Sequence, residues 1–382
     1  MANLNFIKTA RMDRLERYMG VENVQRASLA MKDWYGTRPV PVSGMPGNVH
    51  IMRGGEYVGH AEAGEFGTAF DRLEDGLRRA VRSGRYRVAE WAMRQMVTAN
   101  AFPTSLSDIA NASGQSKRRT LAFQKVGPTG VAGVTSSLWR VGNQPAAGGA
   151  GSAAPGGRQV TGTTTGAVFN LDDVSSNRRV LKRMQVLASV AGNNLLMYDR
   201  IFDVAKTMNS TTTESVTGVP LRYQSSSPSS DEYADGNFCF VEVGGTALAA
   251  TAHNWTTCLY RNQAGTDNQT FPSMTGNSAA IVDRLDHPVQ SWFMPLQSGD
   301  TGVMDLAQMQ CSASVATGAI NFVLGHLLAV CPCPIANLAC DVDGVDDAFV
   351  PVIDGAAIAF LEMSKPSTGA TTYNGFVQLV HG

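Results

Sequence analysis

Four side chains in the C-terminal third have the chemistry to hold a metal: His326, Cys331, Cys333 and Cys340, followed by the acidic run "CDVDGVDD" that ends at Asp347. A closed zinc site usually takes cysteine pairs two to four residues apart, so the single-residue spacing of Cys331-Pro332-Cys333 makes a poor chelate, and no second such pair exists. The acidic run resembles the start of a calcium loop but lacks a third ligand before Gly344 and a glutamate at the twelfth position. It reads as a solvated, charged turn. The cysteines read as small apolar fillers of a sheet core. All six (Cys239, Cys258, Cys311, Cys331, Cys333, Cys340) lie in the second half of a chain whose N-terminus shows no leader pattern, so reduced thiols without disulfides are expected.

Catalytic patterns are equally thin. The six histidines are scattered (His50, His60, His253, His287, His326, His381), no Gly-x-Ser-x-Gly or His-Glu-x-x-His is present, and Asp172-Asp173 suits the start of a helix. The glycines at 149, 151, 156 and 157 fall in a phosphate-loop composition without the Lys-Ser/Thr closure or the strand-to-helix context that such a loop needs. The chain is therefore expected to be no enzyme and to carry no cofactor.

Charge says more. Residues 1–200 hold 26 Lys/Arg against 15 Asp/Glu, a net of +11, whereas residues 201–382 hold 5 against 17, a net of −12. Halves of opposite sign suit packing on a neighbouring copy, contact with nucleic acid, or both, because such charge steers association and fixes register.

The elements that would position these residues read as an α+β chain. Residues 1–118 are expected as a helical basic region, in which Phe70, Leu73, Leu77 and Val81 recur at helical steps among Arg78, Arg79, Arg82 and Arg85. Residues 119–170 read as a Gly/Ala-rich extended hairpin or mobile arm centred on Gly148, Gly149, Gly151 and Pro155. Residues 171–210 read as a long helix and connector: Val180, Met184, Leu187 and Val190 form a stripe closed by Gly192, with 195–206 open between helix and strand. Residues 211–382 read as a β-rich body, an antiparallel sandwich or jelly-roll-like sheet pair, in which 307–330 forms a hairpin turning near 316–318. The longest nearly apolar run, 319–332, contains Asn321 and His326 and is too short to cross a bilayer, so no membrane partner is expected.

Three stretches, "YRNQAGTDNQTFP" (260–272), "FMPLQSGDTGVMDLAQMQCSASVATGAINFVLGHLLAVCPCP" (293–334) and "IDGAAIAFLEMSKPSTGATTYNGFVQLVHG" (353–382), resemble virion structural proteins of tailed bacteriophages. The order of helical region, extended glycine-rich hairpin, long helix and β-rich body is also similar to the major-capsid type of phage shell fold. The resemblance implies a head protein that self-assembles into an icosahedral shell within the virion, after synthesis in the bacterial cytoplasm. A cement or decoration protein, or a tail tube or baseplate component, is the alternative, and a soluble metal-dependent enzyme stands below both. The implied partners are copies of the chain, other virion structural proteins and packaged DNA along the basic half. Arg78, Arg79, Arg82, Arg85, Gly148, Gly149, Gly151 and Pro155 are the candidate inter-subunit contacts.

Overall fold

Side chains that alternate between two environments along 10 to 15 residues demand long strands, and the computed structural model of the chain is built on such strands. It describes residues 38–41, 49–53 and 56–61 by their backbone, and residues 118–168, 179–278, 280–344, 350–363 and 369–381 with their side chains. The chain divides into two compact units, residues 1–118 with 176–178 and 380–382, and residues 119–175 with 179–379. In the first, β1 (Arg38–Pro41), β2 (Val49–Arg53) and β3 (Glu56–Ala61) form an antiparallel meander.

From the start of the second unit onward the strands run β4 (Arg118–Thr129, whose first residue belongs to the first unit), β5 (Thr135–Ser137), β6 (Asn143–Gln144), β7 (Ser152–Ala153), β8 (Arg158–Gln159), β9 (Arg179–Ala188) and β10 (Asn193–Thr207). There follow β11 (Glu214–Ser215), β12 (Asn237–Val243), β13 (Asn254–Asn262), β14 (Gln269–Thr270), β15 (Met274–Thr275) and β16 (Val303–Cys311). The last four are β17 (Ala319–Cys333), β18 (Ala339–Asp343), β19 (Ile358–Met363) and β20 (Ala370–His381). They make a central sheet in the order β12-β17-β10-β19-β5, to which β7 and β8 add on β10. A second sheet runs β11-β16-β13-β14 with β15 on β13, and a third runs β18-β9-β20-β4-β6.

The antiparallel pair β10–β17 is the spine: its register runs from Asn193 opposite Cys333 to Thr207 opposite Ala319. One face of the central sheet supplies two cores. Phe202, Val204, Val241 and Phe322 pack against Trp255, Tyr260 and Leu306 of the second sheet, and Leu195, Met197 and Phe360 pack against Met184, Val186 and Leu379 of the third. The opposite face carries Leu196, Tyr198, Phe240 and Val323 under Trp139, Val160 and Leu285, which come from loops and not from a sheet.

Three expectations are corrected. Among the described residues there is no helix, so their fold is all-β and not α+β: the described residues of the region 1–118 expected as helical form β1, β2 and β3, and the expected helix at residues 68–97 lies outside the described residues. The expected long helix after residue 175 is β9, in which Met184, Val186 and Ala188 are all fully buried. Val180 and Met184 fit a helical step and a strand step alike, because four residues are two strand periods; Val186 and Ala188 break the tie toward period two. Third, β16 and β17 do not pair as a hairpin. They lie in different sheets, and the connection between them crosses from one to the other, held where Val315 N donates to Met208 O and Met208 N to Gly318 O.

Two loop motifs lock together at one edge of the second sheet. Asp300 accepts from Tyr260 Oη (2.5 Å) and Asn262 Nδ2 (2.8 Å), Gln263 Oε1 accepts from Thr301 N, and Asn262 Oδ1 accepts from Ala264 N and Thr266 N. Asn-Gln-Ala-Gly and Ser-Gly-Asp-Thr-Gly are thus two halves of one structural joint.

The junction of the central and third sheets buries a carboxyl. Glu362 on β19 accepts from Asn193 Nδ2 (3.1 Å), and burial pushes its pKa up to about 7 against hydrogen bonds from Tyr373 and Thr371. A group whose folded pKa is raised loses its contribution as pH rises through that value, so ionisation of Glu362 costs on the order of 3 kcal/mol by pH 8. His287 and His326 act in the opposite sense. Burial lowers both to about 4, so their contribution is lost as pH falls from about 6.5. Glu362→Gln is expected to gain thermal stability relative to the wild type progressively between pH 5 and pH 8; a melting difference that is constant with pH counts against a neutral buried acid.

Candidate functional site: a charge cluster under the glycine-rich segment

A guanidinium placed in a β-sheet core must find anions, because it cannot shed its proton there. Arg200 of β10 is completely buried. Its Nη2 and Nη1 donate to Glu242 Oε1 (2.6 Å) and Oε2 (3.0 Å), and its Nε donates to Asp203 Oδ2 (2.9 Å). Above it lies the Trp139 ring, with the guanidinium carbon 4.8 Å from the centroid. Burial alone would lower the Arg200 pKa, but the Glu242 and Asp203 charges outweigh it and raise it; burial likewise favours neutral Glu242, and Arg200 outweighs it to hold that carboxyl low.

The backbone explains how Arg200 and Asp203 meet. Residues three apart on a regular strand face opposite sides, but the β10–β17 register shifts between Arg200 and Phe202, leaving Ile201 unpaired. The bulge turns Asp203 back to the face of Arg200, alongside Glu242 of β12 and Asn321 of β17, which stand opposite each other. Asn321 Nδ2 donates to Glu242 Oε1 (2.9 Å) and its Oδ1 accepts from Gly151 N (3.0 Å).

Gly151 belongs to the segment expected as a mobile arm, and the structure straps that segment onto the body. Strand β19 covers β10 only from Asn194 to Asp199; beyond it β7 pairs with Val204–Ala205 and β8 with Phe202–Asp203. The strap thereby closes an edge that would otherwise expose unpaired backbone. Val160 N donates to the carbonyl of Ile201, the residue that the bulge left out of the ladder. Arg158 delivers a bidentate pair to Asp203, Nε to Oδ1 (3.0 Å) and Nη2 to Oδ2 (2.6 Å), and Nη2 also reaches Gly149 O (3.1 Å). Trp139 Nε1 donates to the same carbonyl (3.1 Å). Gly148 is packed so closely on Trp139 that a Cβ would overlap the ring, and Gly157, at φ +52°, has no room for one beside Phe202. Pro155 O accepts from Thr217 N (2.7 Å). Arg222 completes the clamp by donating to Asp199 Oδ1 (3.0 Å), Val160 O (2.8 Å) and Gly355 O (2.8 Å).

Of the candidate contacts, Gly148, Gly149, Gly151 and Pro155 are thus brought together on the strap, while Arg78, Arg79, Arg82 and Arg85 lie outside the described residues. Arg158, Arg200, Asp203, Glu242 and Asn321 were missed by motif reasoning. Their signal was present: Asp199, Arg200 and Asp203 interrupt the apolar run 195–205, and Glu242 interrupts "FCFVEV". A charge inside a buried strand must have a partner of opposite sign.

Other polar groups are satisfied locally. His326 stacks on Tyr223 with centroids 3.9 Å apart and shares a hydrogen bond with Asn237 Oδ1 (2.7 Å), away from the cysteines. Asp286 accepts from His253 Nε2 and Trp255 Nε1 (both 2.8 Å), and His253 Nδ1 faces Thr251 O (2.9 Å). Burial lowers the His253 pKa, but the hydrogen bond and charge of Asp286 raise it further, which suits a ring whose two nitrogens both meet acceptors. Among the described residues, no group of His, Cys, Asp and Glu is placed to hold a metal ion.

Chemically, the cluster is a fixed set of charges, Arg158 and Arg200 against Asp203 and Glu242, that ties the strap to the spine. Removing one partner of a buried pair leaves an uncompensated charge, which costs about 3–5 kcal/mol. Glu242→Ala is expected to fall in that range by urea denaturation, and Arg200→Met with Glu242→Leu to recover much of the loss. Equal stability of Glu242→Ala and wild type would contradict the pairing. Arg158→Ala, whose partner Asp203 keeps Arg200, is expected to cost less, about 1–2 kcal/mol.

No protein-family model matches the chain, and no curated protein matches it. Solved structures similar to it include that of infectious bursal disease virus strain Gt, at 10% identity over 69% of this chain and 80% of that chain, with a TM-score of 0.16. The VP2 subviral particle of infectious bursal disease virus is similar at 12% identity over 69% and 80%, with a TM-score of 0.16, and T=1 particles derived from that virus at 10% over 69% and 77%, also with 0.16. These are viral capsid structures, and a TM-score of 0.16 does not establish a shared topology with any of them.

Proposed function

We propose that this chain is a structural subunit of a virus particle, a head-shell protein that assembles with copies of itself. The observation that carries the reading is the division of charge, +11 over residues 1–200 and −12 over residues 201–382. A chain of this kind attracts the opposite half of its neighbour and repels the like half, which sets register in a closed assembly. The polar chemistry within the body supports it. The charged cluster is spent on holding the strap, and the two motifs at 260–266 and 298–302 are spent on each other and on backbone groups. Those motifs belong to the stretches that resemble tailed-phage virion proteins. The resemblance extends the reading to a phage head assembled in the bacterial cytoplasm, with the basic N-terminal half toward packaged DNA.

Negative-stain electron microscopy of the purified chain at low and high salt tests the reading. Capsomers or closed shells are expected at low ionic strength, with fewer as the Debye length shrinks from about 10 Å at 0.1 M to about 3 Å at 1 M salt. Stacked rings would move the protein to a tail, and a monomer under every condition would overturn the proposal.

A further inference from the structure

An open strand edge is a template for pairing with another chain, and folded proteins manage it by covering or shortening it. The central sheet closes on itself. Residues 283–286 bond to β5 on one side, through Ser137 N to Asp283 O (2.6 Å) and Leu285 N to Thr135 O (3.0 Å), and to β12 on the other, through Val243 N to Arg284 O and Asp286 N to Val241 O (both 2.8 Å). The outer strands of the second sheet meet β11 and Val216 on one side and β14 and β15 on the other. Among the described residues, the third sheet keeps open stretches at both of its ends. No described strand lies beyond β18, and β6 pairs with only Gln124 and Lys125 of the twelve-residue β4, so that no described strand flanks residues 119–123 on that side.

The ladder shows which backbone groups of β18 face outward. Gly344 N donates to Lys182 O (2.7 Å), so in the β18–β9 register Gly344, Val342 and Cys340 are the hydrogen-bonded positions, and the amides and carbonyls of Ala339 and Asp341 point away from β9. The exposed side chains at this end are Ala339, Asp341 and Asp343, preceded in the turn by Ile335 and Leu338. Those at the other end are Arg118, Arg119, Thr120 and Ala122. Two acids thus mark one end of the sheet and two bases the other; within the chain Arg183 of β9 meets Asp341 (2.9 Å), one cation beside two carboxylates.

We propose that the third sheet continues from copy to copy, with β18 of one copy pairing its outer edge to residues 119–123 of β4 in the next. A second copy is the occupant because the two ends carry opposite charge and every copy offers one of each, a head-to-tail contact that repeats around a closed ring. Main-chain hydrogen bonds along the joined edges supply affinity, and the acids facing the bases fix register. Resting on the shell reading, this pairing names the contact through which copies would join.

Asp341→Pro tests it. A proline at that position removes an outward-pointing amide and leaves the bonds to β9 in place, and the exposed ion pair with Arg183 is worth little, so cooperative melting near that of the wild type is expected. The concentration at which the chain assembles, read by sedimentation at low salt, is expected to rise roughly tenfold for the lost hydrogen bond and its disturbed neighbours. Arg119→Asp is expected to weaken assembly and Arg119→Asp with Asp343→Arg to restore it. Hydrogen exchange on the wild type reads the same edge without a substitution: the Asp341 amide is expected to exchange rapidly in the dissociated chain at high salt and slowly in assembled particles. Wild-type assembly by Asp341→Pro, or equal exchange of the Asp341 amide in both states, would overturn the pairing and leave the shell reading standing. A double variant no better than Arg119→Asp alone would overturn the choice of β4 as the partner edge, and a wild type that stays monomeric under every condition would overturn both readings.

Discussion

The charge of Arg200 is the constraint on which the rest of the body depends. A guanidinium keeps its proton in a protein interior, so a sheet that buries one must deliver carboxylates to it from more than one strand. Glu242 arrives from β12, two strands away, and Asp203 arrives from the same strand only because a bulge at Ile201 turns it to the same face. The bulge in turn leaves the Ile201 carbonyl without a ladder partner, and the strap supplies one through Val160 N. Charge pairing, strand irregularity and the course of a glycine-rich loop are therefore one solution to one electrostatic demand.

The same demand explains the composition of the strap. It must pass over an indole and a phenyl ring at backbone distance, which admits glycine at 148 and 157, and it must carry one cation, Arg158, to balance the second carboxylate. The cluster closes with two positive and two negative side chains, so no net charge is left beneath the strap.

Much of the body was legible in the sequence. Strands β12, β13, β19 and β20 lie within a residue or a few of the apolar runs that announce them: β12 and β19 are buried on both faces and read as continuous runs, β13 and β20 alternate buried with partly exposed residues, and turn residues bound each run. The helix expected after residue 175 failed on a degenerate period, since Val180 and Met184 satisfy two geometries and only burial of Val186 and Ala188 decides. The hairpin expected at 307–330 failed because adjacent strands in sequence can enter different sheets, and nothing local in "SASVATG" distinguishes a turn within one sheet from a crossing between two. The strap was mistaken for an arm for a comparable reason. Glycine composition marks freedom in the unfolded chain and close approach in the folded one, and the partner that decides between them, Asp203, lies 45 residues from Arg158. The charged cluster could have been found by asking where each charge within an apolar strand goes.

The most direct test of the central claim is native-state hydrogen exchange at the backbone amides of Gly148, Gly151 and Val160, compared with amides of β10. If the strap is held by the charge cluster and by its strand pairing, these amides exchange with protection of the same order as the spine, and Glu242→Ala lowers both together. Exchange of all three at the rate of an unstructured peptide, beside a protected β10, would contradict the account and return residues 145–166 to a free arm.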